Sequence, residues 1–303
     1  MVNFNYRTDM ADERVDTYKQ VNNLTEIDGI KVESKIEDII KITTVDVLNE
    51  NGRNAVKKDI GKYVTMEMKD VEYLTDEQKQ AVISSLANQI KILIGKDVKS
   101  ILVVGLGNVA VTPDALGPKV ISFVNITRHM LMYAKEYVVP GTKEISAISP
   151  GVLGTTGIET EEIVEAVTKI VNPEVLIVID SLASMSMDRL GKTIQLGNTG
   201  ITPGAGIGNK RRALNKENLG VDVIAIGVPT VVDMATITNE AIDKVLENKN
   251  INISEENFLN MENRYKIISD TLHTENYIVT PKEIDAVVLK ISEIIASGLN
   301  DAL

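Results

Sequence analysis

Two aspartates stand where a chain of this pattern can do chemistry. Asp114 lies in the loop Gly105-Leu106-Gly107-Asn108-Val109-Ala110-Val111-Thr112-Pro113-Asp114-Ala115-Leu116-Gly117-Pro118, directly after the apolar run Ile101–Val104. Asp180 closes a second such run, Val175-Leu176-Ile177-Val178-Ile179. In a parallel α/β sheet, ligands bind at the C-terminal ends of the strands. Two carboxyls delivered there by separate strands can share one proton, because both cannot ionise cheaply side by side. Such a pair performs acid–base hydrolysis with neither metal nor thiol. Either aspartate alone also reads as a turn or cap residue, and Thr112-Pro113-Asp114 is turn chemistry. Their shared placement at one sheet edge is what distinguishes them.

The composition removes most alternatives. Cysteine is absent, so there is no disulfide, thiol nucleophile or thiolate metal site. With only two histidines, His129 and His273, no His-rich metal site can form. His129 falls on a predicted helix beside Met130 and reads as structural; His273 falls in a polar connection and reads as exposed. No Gly-x-Ser-x-Gly nucleophile elbow occurs. A net charge of −11 argues against nucleic acid as a direct partner, and Lys210-Arg211-Arg212 is too short a basic cluster to reverse that. No apolar run is long enough to span a bilayer and no signal-peptide pattern opens the chain, so a cytoplasmic location is expected. Gly105 to Ala110 matches the relaxed dinucleotide fingerprint, but Thr112-Pro113 and Pro118 delay the helix that this motif should open. Gly191-Lys192-Thr193 lacks the earlier glycine of a phosphate loop. No cofactor is therefore expected.

Two further loops are dense in glycine: Ser149–Gly157 and Gly197–Arg211. So many glycines cost backbone entropy. They suit close approach of another backbone, such as a peptide substrate, and the plainer reading is a flexible surface loop. Lys210 and Arg211 end the second loop. They are the candidates to pair with an acidic residue of a substrate, against the reading that they cap the next helix.

The elements that must position these residues follow from periodicity. Residues 1 to about 22 show no clear period and read as an arm. The segments 39–45 and 63–68 read as strands around a turn at Asn49–Gly52. Thr75-Asp76-Glu77-Gln78 opens a helix with apolar positions at Val82, Ile83, Leu86, Ile90 and Leu93. Strands at 101–104, 144–148, 175–179 and 221–226 alternate with helices after Pro118, at 160–170 with Thr160 as cap, at 234–246 and at 281–296. The expectation is an α/β fold: a mostly parallel sheet with helices on both faces, preceded by an N-terminal β-containing extension.

Several long segments together resemble the germination protease of spore-forming bacteria. They are Tyr6-Arg7-Thr8-Asp9-Met10-Ala11, the Gly105–Pro118 loop, Ser149–Gly157, Ile179-Asp180-Ser181-Leu182-Ala183-Ser184, Gly197–Arg211, Thr280–Asp285 and Gly298-Leu299-Asn300. The resemblance implies a fold similar to the hydrogenase-maturation peptidases. It also implies an aspartic-type endopeptidase that degrades small acid-soluble spore proteins during germination, in the cytoplasm of the forespore or the spore core. The family's two essential aspartates fall on Asp114 and Asp180. The resemblance further implies a homotetramer made as a self-processing zymogen, cut between Asp9 and Met10. That gives a pro-segment at 1–9 and one peptidase domain at 10–303, with a β-rich extension at about 24–70 and a catalytic core at about 99–303. Two other functions stay open: a metal-dependent hydrogenase-maturation-type peptidase using His129 or His273, and a non-catalytic phosphate- or nucleotide-binding module built on the glycine loops.

Overall fold

A computed structural model describes residues 7–202, 212–249, 267, 268, 270 and 277–303. One sheet dominates it. Its strands are β1 (Ile30–Glu37), β2 (Ile40–Val47), β3 (Gly61–Glu67), β4 (Ser100–Gly105), β5 (Glu144–Ile148), β6 (Val175–Ala183), β7 (Thr193–Gly197), β8 (Asp222–Asp233) and the short β9 (Ile278–Val279). The order is β1-β2-β3-β7-β8-β6-β4-β5, with β9 pairing β8. The four strands β5, β4, β6 and β8 are mutually parallel. From β8 outward, β7, β3, β2 and β1 are antiparallel. The expected α/β core is therefore present, and the expected β-containing extension continues its sheet.

Strand sequence sets the two faces. β6 is buried on both sides, so it reads as an unbroken apolar run rather than an alternating one. Its Ile177 and Ile179 face a core built with α3 (Asp76–Ile94), α4 (Leu116–Ile121) and α10 (Ile284–Ala302). Its Leu176 and Val178 face the other way, onto Val164 of α7 (Thr160–Val171). On that second face, further along the sheet, Val45, Val47 and Tyr63 are covered by α1 (Ala11–Asn22) and α2 (Glu50–Val56). Helix α3 opens with the predicted Thr75/Gln78 capping box, two reciprocal bonds that satisfy otherwise orphaned donors.

Five local readings are corrected. Residues 11–22 are helix α1, not arm: Ala11 and Val15 are buried against β2 and β3, and the helix keeps polar residues elsewhere on its surface, which blurs its period. Asn49 does not open a turn between strands; its side chain accepts the Gly52 N–H and caps α2. Thr160 is the first residue of α7 rather than its cap, and its hydroxyl donates to the Gly151 carbonyl. The last helix starts at Ile284, three residues after Pro281. His129 lies on the short helix α5 (Arg128–Tyr133) and is exposed rather than structural. His273 lies outside the described residues, as do Lys210 and Arg211.

Candidate active site

Asp180 sits on β6, one residue past the level where Ile179 pairs with Gly105 of β4. It is 6% exposed, and its Oδ1 accepts the Ser181 N–H at 2.9 Å. At that level β4 gives way to the loop carrying Asp114: the Leu106 N–H donates to the Ile179 carbonyl at 2.8 Å. The loop springs from the position beside Asp180, one inter-strand spacing of about 4.8 Å away. It then folds back on itself. The Asn108 N–H is shared between the Asp114 carbonyl at 3.0 Å and Asp114 Oδ2 at 2.8 Å. The single turn Thr112–Asp114 packs against both β6 and β8. Asp114 and Asp180 thus reach one edge of the sheet from neighbouring parallel strands.

Glycine makes this fold-back possible. Gly107 has φ +115°, and a Cβ there would lie 1.9 Å from the Asp114 carbonyl oxygen. Gly105 and Gly117 touch backbone to backbone, with a Cβ on Gly105 meeting the Gly117 oxygen at 2.3 Å. The spacing that resembles a dinucleotide fingerprint is used to bring the Asp114 turn onto β4.

The row of side chains level with Asp180 defines the floor beside it. Asp180 pairs with Gly227 of β8, and Gly227 pairs with Gln195 of β7. Directly paired residues share a face, so these three point to the same side of the sheet. Gly227 contributes no side chain, and Leu182 packs into the space above it between Asp180 and Gln195.

Residues 8–11 cross this face, and the proposed processing site is not an exposed arm. Thr8, Met10 and Ala11 are buried, Met10 completely. The Asp9 N–H donates to the Ala183 carbonyl, and the Ala183 N–H donates to Asp9 Oδ2, both at 2.9 Å. Gln195 binds both sides of Met10: its Nε2 donates to the Asp9 carbonyl at 3.0 Å and its Oε1 accepts the Ala11 N–H at 2.6 Å. Lys58 Nζ donates to the same Asp9 carbonyl at 2.6 Å. The Arg14 guanidinium donates twice to the Thr8 carbonyl, at 2.7 and 3.1 Å. A cleft of about 170 Å³ opens beside Asp9, lined by Arg14, Lys58, Tyr63, Gln195 and Thr199 among others.

Burial dominates the electrostatics here. It lowers the Lys58 amine to about 8, with Arg14 adding repulsion and Asp9 opposing it. Burial also lowers Arg14, again against the pull of Asp9. The Tyr63 hydroxyl is pushed up to about 12, mainly by burial. Behind the segment, Arg189 is enclosed by Asp12, Glu13 and Glu67, at 2.5, 3.2 and 3.2 Å. Burial raises the Glu13 carboxyl, and Arg189 opposes that rise. Glu13 also accepts the Thr8 and Ser184 hydroxyls and the Met185 N–H. This ties α1 to the turn that follows β6. Among the described residues no group of histidines and carboxylates could hold a metal ion.

Arg14, Lys58 and Gln195 carry no motif in the sequence. Only Gln195 leaves a trace, as the polar member of the alternation Thr193-Ile194-Gln195-Leu196.

A solved [NiFe] hydrogenase maturation protease from Thermococcus kodakarensis aligns with 47% of this chain and 80% of its own, at 19% identity and a TM-score of 0.30. Curated germination proteases are far more similar. That of Clostridium tetani is 44% identical over 98% of this chain and 95% of its own. Those of Caldanaerobacter subterraneus and Priestia megaterium are 43% and 38% identical, over 98% and 99% of this chain and 94% of their own. The family model described as germination protease matches residues 7–261. With that match across most of its length, the chain belongs to the germination protease family, and its role is that of a protease in spore germination.

Proposed function

We propose that the chain is an aspartic-type endopeptidase whose catalytic pair is Asp114 and Asp180. It opens the degradation of small acid-soluble spore proteins and matures by cutting its own Asp9–Met10 bond. The observation that supports this reading best is the common placement of two carboxyls at the C-terminal edge of β4 and β6. The segment 8–11 is docked on the same face.

The chemistry follows from the pair. One carboxyl stays ionised and takes a proton from a water as that water attacks the scissile carbonyl carbon. The protonated partner hydrogen-bonds the carbonyl oxygen and then supplies the proton that lets the amine leave. The pair titrates as a unit, so the roles belong to the dyad rather than to either residue. Backbone donors already orient both groups. The Asn108 N–H donates to Asp114 Oδ2 and the Ser181 N–H donates to Asp180 Oδ1.

Asp114→Asn and Asp180→Asn test the reading. Each keeps the shape and loses the exchangeable proton, so each should abolish cleavage of a peptide substrate, with circular dichroism and the unfolding midpoint close to wild type. Chelators should leave the wild-type rate unchanged. Substantial activity in either purified variant sinks the dyad. N-terminal sequencing after incubation at mildly acidic pH tests the processing: a new Met10 end is expected in wild type and an intact Met1 end in Asp180→Asn.

A further inference from the structure

Strand β1 ends the sheet, and its residues 31–36 are exposed on both faces. At the opposite edge Thr127 occupies β5: its hydroxyl accepts the Ile145 N–H and its own N–H donates to the Ile145 carbonyl. Nothing comparable covers β1 among the described residues. The Leu48 N–H donates to the Gly29 carbonyl at 2.8 Å, in register with the β1–β2 pairing. Bonded pairs alternate along an antiparallel ladder. Lys31, Glu33, Lys35 and Glu37 therefore spend their main-chain groups on β2, and Val32, Ser34 and Ile36 turn theirs outward. Natural edges are blunted by proline, bulges or short length. β1 has eight residues, no proline and an unbroken register. Its charges alternate in sign rather than repel: Lys31, Glu33, Lys35, Glu37. Within one chain they pair only along the strand, at 2.7 and 2.5 Å, and stay exposed.

We propose that this edge binds a second copy of the chain, β1 against β1, antiparallel about a two-fold axis at Ser34. A two-fold contact requires a surface that is complementary to itself, and β1 is. The axis sets Lys31 opposite Glu37 of the second copy, Glu33 opposite Lys35 and Val32 opposite Ile36, each twice, while Ser34 meets itself. Both charged pairs are of opposite sign. On the other face Val32 and Ile36, 39% and 78% exposed in the single chain, cover one another. The outward main-chain groups of Val32, Ser34 and Ile36 all fall on directly bonded pairs of the new ladder, so each finds a partner. Moving the axis to Glu33 would put Lys31 opposite Lys35 and Glu33 opposite itself. Moving it to Lys35 would put Glu33 opposite Glu37 and Lys35 opposite itself. Like charges directly opposite destabilise a pair, so the order of charges selects one register as well as one partner. β2, β3, β7 and β8 separate this contact from β6 and Asp180, and the proposal does not depend on the peptidase reading.

The chain has no cysteine, so an introduced one reports alone. The full chain carrying Ser34→Cys is oxidised mildly and run on a non-reducing gel. At a directly bonded antiparallel pair the Cα atoms lie about 5.5 Å apart, within disulfide reach, so a covalent dimer is expected. Val32→Cys lies on the same face but off the axis. Its two copies would be separated by about 13 Å along the strands, so it should not cross-link. Sedimentation equilibrium gives the second arm. Lys35→Glu and Glu33→Lys should each raise the dissociation constant roughly tenfold, because each turns two attractive pairs into repulsive ones. Mixed together, the two variants should associate as tightly as wild type, since both of their facing pairs are again of opposite sign. Circular dichroism and the unfolding midpoint check that every variant is folded. The proposal is overturned by a wild type that stays monomeric at high micromolar concentration, or by single variants that associate as tightly as wild type. It is also overturned by a Ser34→Cys chain that cross-links no better than Val32→Cys, or by a mixture no tighter than its components.

Discussion

Gly107→Ala is the sharpest probe of how Asp114 is placed. The added methyl would lie 1.9 Å from the Asp114 carbonyl oxygen and 3.2 Å from its Oδ1. An ordinary carbon–oxygen contact is about 3.4 Å, so the turn must retreat by roughly 1.5 Å. That retreat breaks the shared Asn108 N–H contact to the Asp114 carbonyl and Oδ2. A hydrogen bond to a charged group contributes about 1.5–3 kcal/mol. Alanine at φ +115° adds roughly 1–2 kcal/mol of backbone strain. The expected loss of stability is therefore about 3–4 kcal/mol, within what a folded domain survives. The catalytic effect should be larger in kind, since a displacement of about 1 Å in a reacting group costs on the order of a hundredfold. Gly141→Ala is the control. Its φ is +92° but no heavy atom lies within 4 Å of the new methyl, so it carries the strain without the collision. Urea unfolding followed by circular dichroism gives the stabilities, and steady-state peptide cleavage gives kcat/KM. The reasoning fails if Gly107→Ala cleaves at the wild-type rate, or if Gly141→Ala loses as much activity.

Two further outcomes follow from the segment and its support. Arg189→Met leaves Asp12, Glu13 and Glu67 facing one another without their shared cation, and should cost about 3–5 kcal/mol in urea unfolding at neutral pH; a change under about 1 kcal/mol would show that α1 is held by its apolar face alone. Lys58 predicts a pH dependence. Its amine falls from 10.5 to about 8 on folding, so between those values the unfolded chain binds a proton that the native chain has released. Stability gained from this group therefore rises with pH across that window and is flat below it. The 2.5-unit difference corresponds to about 3 kcal/mol, and the partial exposure of the residue brings the expectation to roughly 2 kcal/mol. Unfolding free energies of wild type and Lys58→Met at pH 7.5 and 10 should diverge by that amount in favour of wild type at the higher pH; parallel curves would contradict it.

The parallel half of the fold was legible because its strands are buried on both faces. Ile101–Val104 and Val175–Ile179 could only be interior strands, and an aspartate following each marked the sheet edge. Helix α3 announced itself through Thr75 and Gln78 because capping is a local interaction. What could not be read depended on contacts between distant residues. α1 is amphipathic too weakly to show a period, and its place comes from Ala11 and Val15 docking on β2 and β3 and from Glu13 reaching Ser184. The burial of Asp9 and Met10 was hidden for the same reason, since Gln195 and Ala183 lie more than 170 residues away. A single Lys58 beside Lys57 and Asp59 looks like any solvated surface charge. Only the closing of the chain over it turns it into an enclosed cation.

The position of the cleft follows from topology. Parallel neighbours need a crossover, and the helix of a crossover covers the sheet, as α7, which joins β5 to β6, covers β4 and β6. Antiparallel neighbours need none, and on β3 and β2 the cover comes instead from α1 and α2. β8 is the strand where one regime meets the other, parallel to β6 on one side and antiparallel to β7 on the other. Between the two helical covers the sheet face is left to shorter segments, and there Leu182 packs over Gly227. A side chain at 227 would run into Leu182 at 2.4 Å, so the glycine is what lets Leu182 sit between Asp180 and Gln195. The β-rich extension is thus more than an appendage to a peptidase core. It supplies Lys58 and Tyr63 to the cleft beside Asp9, and it continues the sheet from β7 in the antiparallel sense.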